Sequence, residues 1–97
     1  MKKEQVIEIL GEHLADMRRR FSVRRLSLFG SVARDDAAPG SDVDVLVVFE
    51  GKPTFDAFMD LKFYLEDLLG VQVDLVTDKA MRPQVRQAIE GELVYVA

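Results

Sequence analysis

Asp42 and Asp44 stand two residues apart at the head of an apolar run, Val45-Leu46-Val47-Val48-Phe49. On an extended strand, alternate side chains share a face, with Cα atoms roughly 6.5–7 Å apart. Two close carboxylates without a partner raise each other's pKa and cost stability. A hard divalent cation relieves that repulsion, and Mg²⁺ takes one or two carboxylates together with waters and substrate phosphates. Upstream, Leu26-Ser27-Leu28-Phe29 runs into Gly30-Ser31. Glycine lets a backbone come close to a phosphate, and the Ser31 hydroxyl and nearby N–H groups can donate to anionic oxygens. A short helix starting at Ser31 would add a favourable dipole. A polyphosphate cradle beside a divalent-metal site is the chemistry of nucleotidyl transfer.

A third acid on a neighbouring strand would allow two metals about 3.5–4 Å apart, clamping the attacking and leaving oxygens in line. Asp74 fills that role best, because it interrupts Val71, Val73, Leu75 and Val76, where an aspartate is otherwise expensive. Its alternative is a surface-facing strand acid or one guarding a strand edge. Asp78 reads as a strand exit or helix cap, and Glu50 lies at the far end of its strand. Arg34 would reach a phosphate or brace the loop; its alternative is a solvent-exposed or salt-bridging residue. Ser41 would bond the loop backbone and fix the entry to the second strand.

The elements that must position these residues follow from periodicity. Val6, Ile7, Leu10, Leu14 and Met17 recur at helical spacing, predicting one amphipathic helix over 3–20. Strands are expected at 24–29, 43–49 and 71–76, with a short helix over 31–37 ending near Pro39-Gly40. The second strand, apolar at nearly every position, reads as covered on both faces. Thr54 caps a helix over 55–69 that Gly70 stops, with Phe55, Phe58, Leu61, Leu65, Leu68 and Leu69 as its buried stripe. A last helix over 79–89 and a short terminal piece at 92–96 complete the order α-β-(α)-β-α-β-α. This is an α/β or α+β sandwich, a small sheet flanked by helices.

The chain has 97 residues, 48% hydrophobic and 31% charged, which is the balance of one globular domain over 1–97. A net charge of −4 argues against non-specific nucleic-acid binding, which depends on neutralising phosphates with Lys and Arg. There are no cysteines, hence no disulfide or thiolate chemistry. No apolar run is long enough for a membrane span, and no signal segment is evident, so a cytoplasmic location is expected. Arg18, Arg19, Arg20, Arg24 and Arg25 read as a solvated helix end, with a docking patch for an acidic partner as the alternative. His13 reads as structural.

Gly30-Ser31-Val32-Ala33-Arg34 followed by Ser41-Asp42-Val43-Asp44-Val45-Leu46-Val47 resembles the GSx10DxD pattern of the polymerase-beta-like nucleotidyltransferase superfamily. The small size is similar to its minimal members, the MntA-type antitoxins paired with HEPN-domain toxins. The resemblance implies a mixed sheet, Mg²⁺, ATP as donor and AMP transfer to a hydroxyl with release of pyrophosphate. In the MntA type the acceptor is a tyrosine of the cognate toxin, an RNase silenced by the modification. By position, Asp42, Asp44 and Asp74 would bind metal and catalyse, with Asp74 helping to activate the acceptor. Gly30 and Ser31 would hold the triphosphate. Asp35 departs from the pattern, standing where such sequences often carry glycine. The competing reading is a non-catalytic antitoxin that neutralises its toxin by stoichiometric binding. A small-molecule acceptor fits less well, since enzymes of that kind usually need an added domain.

Overall fold

The amphipathic opening forms as two helices rather than one. In the computed structural model, which describes residues 1–96, α1 spans Lys3–Glu12 and α2 spans Leu14–Phe21. The break falls at His13, whose imidazole Nδ1 donates to the Ile9 carbonyl at 2.9 Å. That carbonyl is the acceptor the His13 amide would use in an unbroken helix. The amide turns instead to Leu10 O at 3.2 Å, and Met17 N–H restarts the ladder on His13 O at 3.0 Å. Phase is kept across the break, so Val6, Leu10, Leu14 and Met17 are all buried.

Strand β1 (Val23–Phe29) leads into α3 (Gly30–Ala33), and β2 (Val43–Phe49) follows after a loop. α3 is four residues long rather than the expected seven; Asp35, at φ +60°, turns the chain out of it. α4 (Phe55–Leu69) has the predicted ends: Thr54 Oγ1 accepts from Ala57 N–H at 3.0 Å, and Gly70 closes the helix at φ +71°. Its stripe is narrower than predicted. Leu61, Leu65 and Leu69 are buried, Phe58 and Leu68 partly so, and Phe55, at the first helical position, is 76% exposed. Each fully buried leucine stabilises the fold by roughly 2 kcal/mol.

β3 covers Val73–Thr77 and starts two residues later than expected. The Glu66 carboxylate takes the Val73 N–H at 3.0 Å, fixing that strand's entry beneath α4. α5 (Pro83–Glu90) begins at a proline, whose missing N–H and fixed φ suit the first helical turn. The short strand β4 is Val94–Tyr95.

The sheet order is β3-β2-β1-β4. β2 runs antiparallel to β1 and parallel to β3, and β4 runs antiparallel to β1, so the sheet is mixed. Val43, Val45, Val47 and Phe49 of β2 join the core with Leu26 and Leu28 of β1 and the inward residues of α1, α2 and α4. On the other face of β2, Leu46 is buried whereas Asp44 and Val48 are only partly covered. The expectation of a strand covered on both faces therefore holds in the middle of β2 and fails towards both ends. Among the described residues, no helix is long and apolar enough to cross a membrane.

Candidate active site

Strand directions bring the chemical residues to one end of the sheet. Phe29, the last residue of β1, pairs with Asp44, and Asp44 pairs with Asp74 across the parallel β2–β3 junction. Gly30 follows Phe29 directly, and Asp42 lies one residue ahead of β2, exposed. The i, i+2 pair is therefore split between a loop end and a strand. Asp44 and Asp74 form the register-matched pair, with Asp74 exposed on the edge strand β3.

The electrostatics follow that placement. Partial burial pushes the Asp44 carboxyl above its ordinary value, and the negative charges of Asp74 and Asp42 push it further. A hydrogen bond between the Asp44 and Asp74 carboxyls favours the protonated form as well, and the charge of Arg34 opposes the rise. Such a pair is suited to a cation. Among the described residues, no three acidic, histidine or cysteine side chains converge into a cage of their own. Two carboxylates open to solvent and to substrate phosphates are nevertheless the usual way in which Mg²⁺ is held, so the donor set fits.

Gly30 sits against this pair. Its φ is +74°, and a Cβ built on it would overlap Asp44 Oδ2 and approach Asp44 Cγ to 3.0 Å. Glycine is required twice over here, by the backbone and by the carboxylate. Ser31 begins the turn partly buried; its carbonyl accepts from Asp36 N–H at 3.0 Å. The short α3 carries little dipole, so individual N–H groups are the donors on this side. Among the described residues, the Ser41 hydroxyl makes no hydrogen bond that braces the loop. The Ser41 backbone N–H closes the turn on Ala38 O at 3.1 Å.

Arg34 is exposed and its guanidinium is engaged. Nε donates to Asp36 Oδ2 at 3.1 Å, and Nη1 reaches Glu92 Oε2 at 3.2 Å. These two carboxylates raise its pKa, Asp36 foremost. Glu92 also accepts from Gly30 N–H, through Oε1 at 3.1 Å. This residue carries no motif and lies sixty-two positions from Gly30, so the chain alone offers no signal for it. Elsewhere, a cleft of 360 Å³ lies between the start of α1 and α3, lined by Lys2, Lys3, Val32 and Asp35 among others, and includes none of the three aspartates.

The basic run is divided between two elements. Arg18, Arg19 and Arg20 form the end of α2, where Arg19 and Arg20 pair with Asp16. Arg24 and Arg25 instead lie on β1, with Arg24 3.8 Å from Glu50 and Arg25 over the Tyr95 ring.

Comparison with known proteins agrees with this geometry. The nucleotidyltransferase domain family matches residues 10–96. The protein adenylyltransferase MntA of Thermococcus cleftensis is 42% identical over 93 residues, spanning 96% of this chain and 94% of that relative. The solved structure of a candidate minimal nucleotidyltransferase superposes with a TM-score of 0.80 at 36% identity, covering 97% of this chain and 95% of its own. A chain from the complex of tri-AMPylated Shewanella oneidensis HEPN toxin with MNT antitoxin shares the fold, with a TM-score of 0.67 at 18% identity over 94% of this chain and 71% of that one. The chain thus belongs to the nucleotidyltransferase domain family, in the minimal branch that contains the MntA adenylyltransferases, and it is a nucleotidyl-transferring enzyme.

Proposed function

We propose that this enzyme moves AMP from ATP to a tyrosine hydroxyl of a cognate HEPN-domain RNase toxin, and so acts as its antitoxin. The observation that carries the reading is the contact of the Gly30 turn with the register-matched acids Asp44 and Asp74. The Gly30 turn and the acid pair lie within one ligand's reach, which supports reading the turn as a phosphate seat and the acids as a cation seat. The similarity to MntA supports a protein acceptor, and the fold shared with the MNT antitoxin chain supports a HEPN partner.

In this reading Gly30 and Ser31 hold the triphosphate through backbone and hydroxyl donors, with Arg34 beside them. Asp42, Asp44 and Asp74 would hold Mg²⁺, as two ions if all three acids contribute. A metal held there would screen the mutual repulsion of the carboxylates, stabilise charge on the phosphates and acidify the acceptor hydroxyl. Asp74, open to solvent on the edge strand, faces the acceptor side and helps draw off the tyrosine proton. The tyrosine oxygen bonds to the α-phosphorus as the bond to the β-phosphate oxygen breaks, and pyrophosphate departs. Positioning and charge stabilisation carry the rate, without a covalent enzyme intermediate.

Mass spectrometry of a co-expressed HEPN partner after incubation with this protein, ATP and Mg²⁺ tests the proposal. Whole AMP increments on a tyrosine, absent with Asp42→Asn, are expected. A blocked toxin in a stable complex that never gains mass would overturn transfer in favour of inhibition by binding.

A further inference from the structure

Two donors assigned to nucleotide phosphate already hold an anionic oxygen that belongs to the chain itself. Gly30 N–H donates to Glu92 Oε1 at 3.1 Å, and Arg34 Nη1 reaches the same oxygen at 3.4 Å and Oε2 at 3.2 Å. A carboxylate oxygen and a phosphate oxygen are interchangeable acceptors for such donors. We propose that Glu92 occupies the seat of a nucleotide phosphate oxygen and has to give it up when the triphosphate binds, so that Glu92 sets the affinity for nucleotide. This inference rests on the proposed use of Gly30 and Arg34 as phosphate donors.

The placement is built into the fold. β4 pairs with β1 through Ser27–Tyr95 and Leu28–Val94. Carrying that register two residues further sets Glu92 opposite Gly30. The tight turn after α5, where Glu92 N–H bonds Ile89 O at 2.9 Å, fixes the approach from the other side. The Glu92 side chain is only 23% exposed, so its contact with the Gly30 amide is partly sheltered from water, and its charge faces the same sheet end as three aspartates. A polyphosphate arriving there meets a carboxylate on its donors and further acidic charge beside it. Releasing Glu92 frees both the Gly30 amide and one side of the Arg34 guanidinium at once.

The test compares wild type, Glu92→Gln and Glu92→Ala for binding of tripolyphosphate and of ATP with Mg²⁺. Glu92→Gln keeps the size and an acceptor while removing the charge; Glu92→Ala removes the occupant. Both variants should bind tripolyphosphate about tenfold more tightly, the scale of one charge-assisted hydrogen bond. In ¹⁵N-labelled wild type, tripolyphosphate should shift the Gly30 amide resonance strongly. KM for ATP should fall in the variants with kcat changed less. Variants that bind no more tightly than wild type, or more weakly, would overturn the proposal and leave Glu92 a brace for Arg34. A Gly30 amide that stays in place at saturation overturns it without recourse to any variant. No tripolyphosphate binding by any of the three proteins overturns it as well. Failure of the adenylyl-transfer reading would show separately, as an acceptor that gains no AMP although tripolyphosphate binds as expected.

Discussion

The acids between α2 and α4 and the acids at the sheet end have opposite surroundings. Asp16 accepts from Tyr64 Oη at 2.8 Å, Arg19 at 2.6 Å and Arg20 at 3.3 Å, and the Arg20 guanidinium also covers the Phe21 and Tyr64 rings. These donors, the Tyr64 hydroxyl first, hold the Asp16 carboxyl below its ordinary value. Glu66 is lowered in the same way by the Val73 N–H and by Lys62. At the sheet end, burial and two neighbouring aspartates raise Asp44. Where carboxylates tie helices and strands together, the chain supplies its own donors. At the site it withholds them, and the missing positive charge has to come with the ligand. The folded state therefore carries an electrostatic cost at the site that substrate and metal remove.

Substitution of one acid from each region tests this contrast most directly. Asp44→Asn should lower AMP transfer by at least about 10³-fold, since it removes a ligand and charge on which the chemistry depends. Its melting temperature should rise, because the repulsion with Asp74 and Asp42 disappears. Asp16→Asn should do the reverse, with a lower melting temperature and transfer within about twofold of wild type. Thermal melts alongside initial rates would decide the matter. A destabilised Asp44→Asn would break the comparison.

Two glycines sharpen it. Gly30 and Gly70 have nearly the same φ, +74° and +71°, but a Cβ at Gly70 meets open space while one at Gly30 meets Asp44. Alanine at either position costs about 1–2 kcal/mol of left-handed strain. Only Gly30→Ala displaces the Asp44 carboxylate, so it alone should abolish transfer. Equal loss of activity in both variants would mean that the Gly30 effect is mere destabilisation.

A smaller effect lies in the pH dependence. Asp16 and Glu66 have lowered folded-state pKa values, so their stabilisation is complete above the unfolded values of 3.8 and 4.5 and is lost as pH falls through the depressed ones. Asp44 has the opposite sign. Its ionised form costs stability at neutral pH, and that cost is removed as pH falls through its raised value towards 3.8. Circular-dichroism melts from pH 7 down to pH 3 should show a gain from Asp44 that vanishes in Asp44→Asn. Tyr64→Phe should make the acid-side loss shallower. An acid-side loss as steep in Tyr64→Phe as in wild type would mean that the hydroxyl does not hold Asp16 down.

How far the chain could be read depended on the range of each interaction. The Gly30-Ser31 turn, the position of Asp44 near the head of β2, and the ends of α4 are set by neighbours within a few residues, and they were legible. Asp74 stood out as an aspartate amid Val73, Leu75 and Val76, but the cost assumed there does not arise, because the side chain is exposed on the edge strand; what the sheet adds is its register opposite Asp44. The placement of Asp42 just outside β2, the break at His13 and the late start of β3 were not. Each turns on one hydrogen bond or pairing, such as His13 to Ile9 or Glu66 to Val73, that composition does not encode. Glu92 was hidden most deeply, because its contact depends on the register of a two-residue strand against β1.

Asp35 carries the smallest predicted effect and bears on the same contrast, since it is an acid beside the site whose partner is a lysine of α1. Its φ of +60° is left-handed, a region that suits glycine and that aspartate tolerates better than most residues. Its Oδ2 lies 3.2 Å from Lys3 Nζ, with the side chains 50% and 28% exposed. Exposed pairs of this kind contribute about 0–1 kcal/mol and weaken with salt. Asp35→Gly relieves backbone strain, loses that pair and adds freedom to the unfolded chain. Those terms nearly cancel, so urea denaturation at low salt should place the variant within about 0.5 kcal/mol of wild type. Raising the salt screens only the wild-type pair, so the balance should then shift towards the glycine variant, with transfer unchanged. A loss well above 1 kcal/mol, or a loss of transfer, would mean that the Lys3 contact holds the α3 turn in shape. Asp35 would then belong with the acids that tie the fold together.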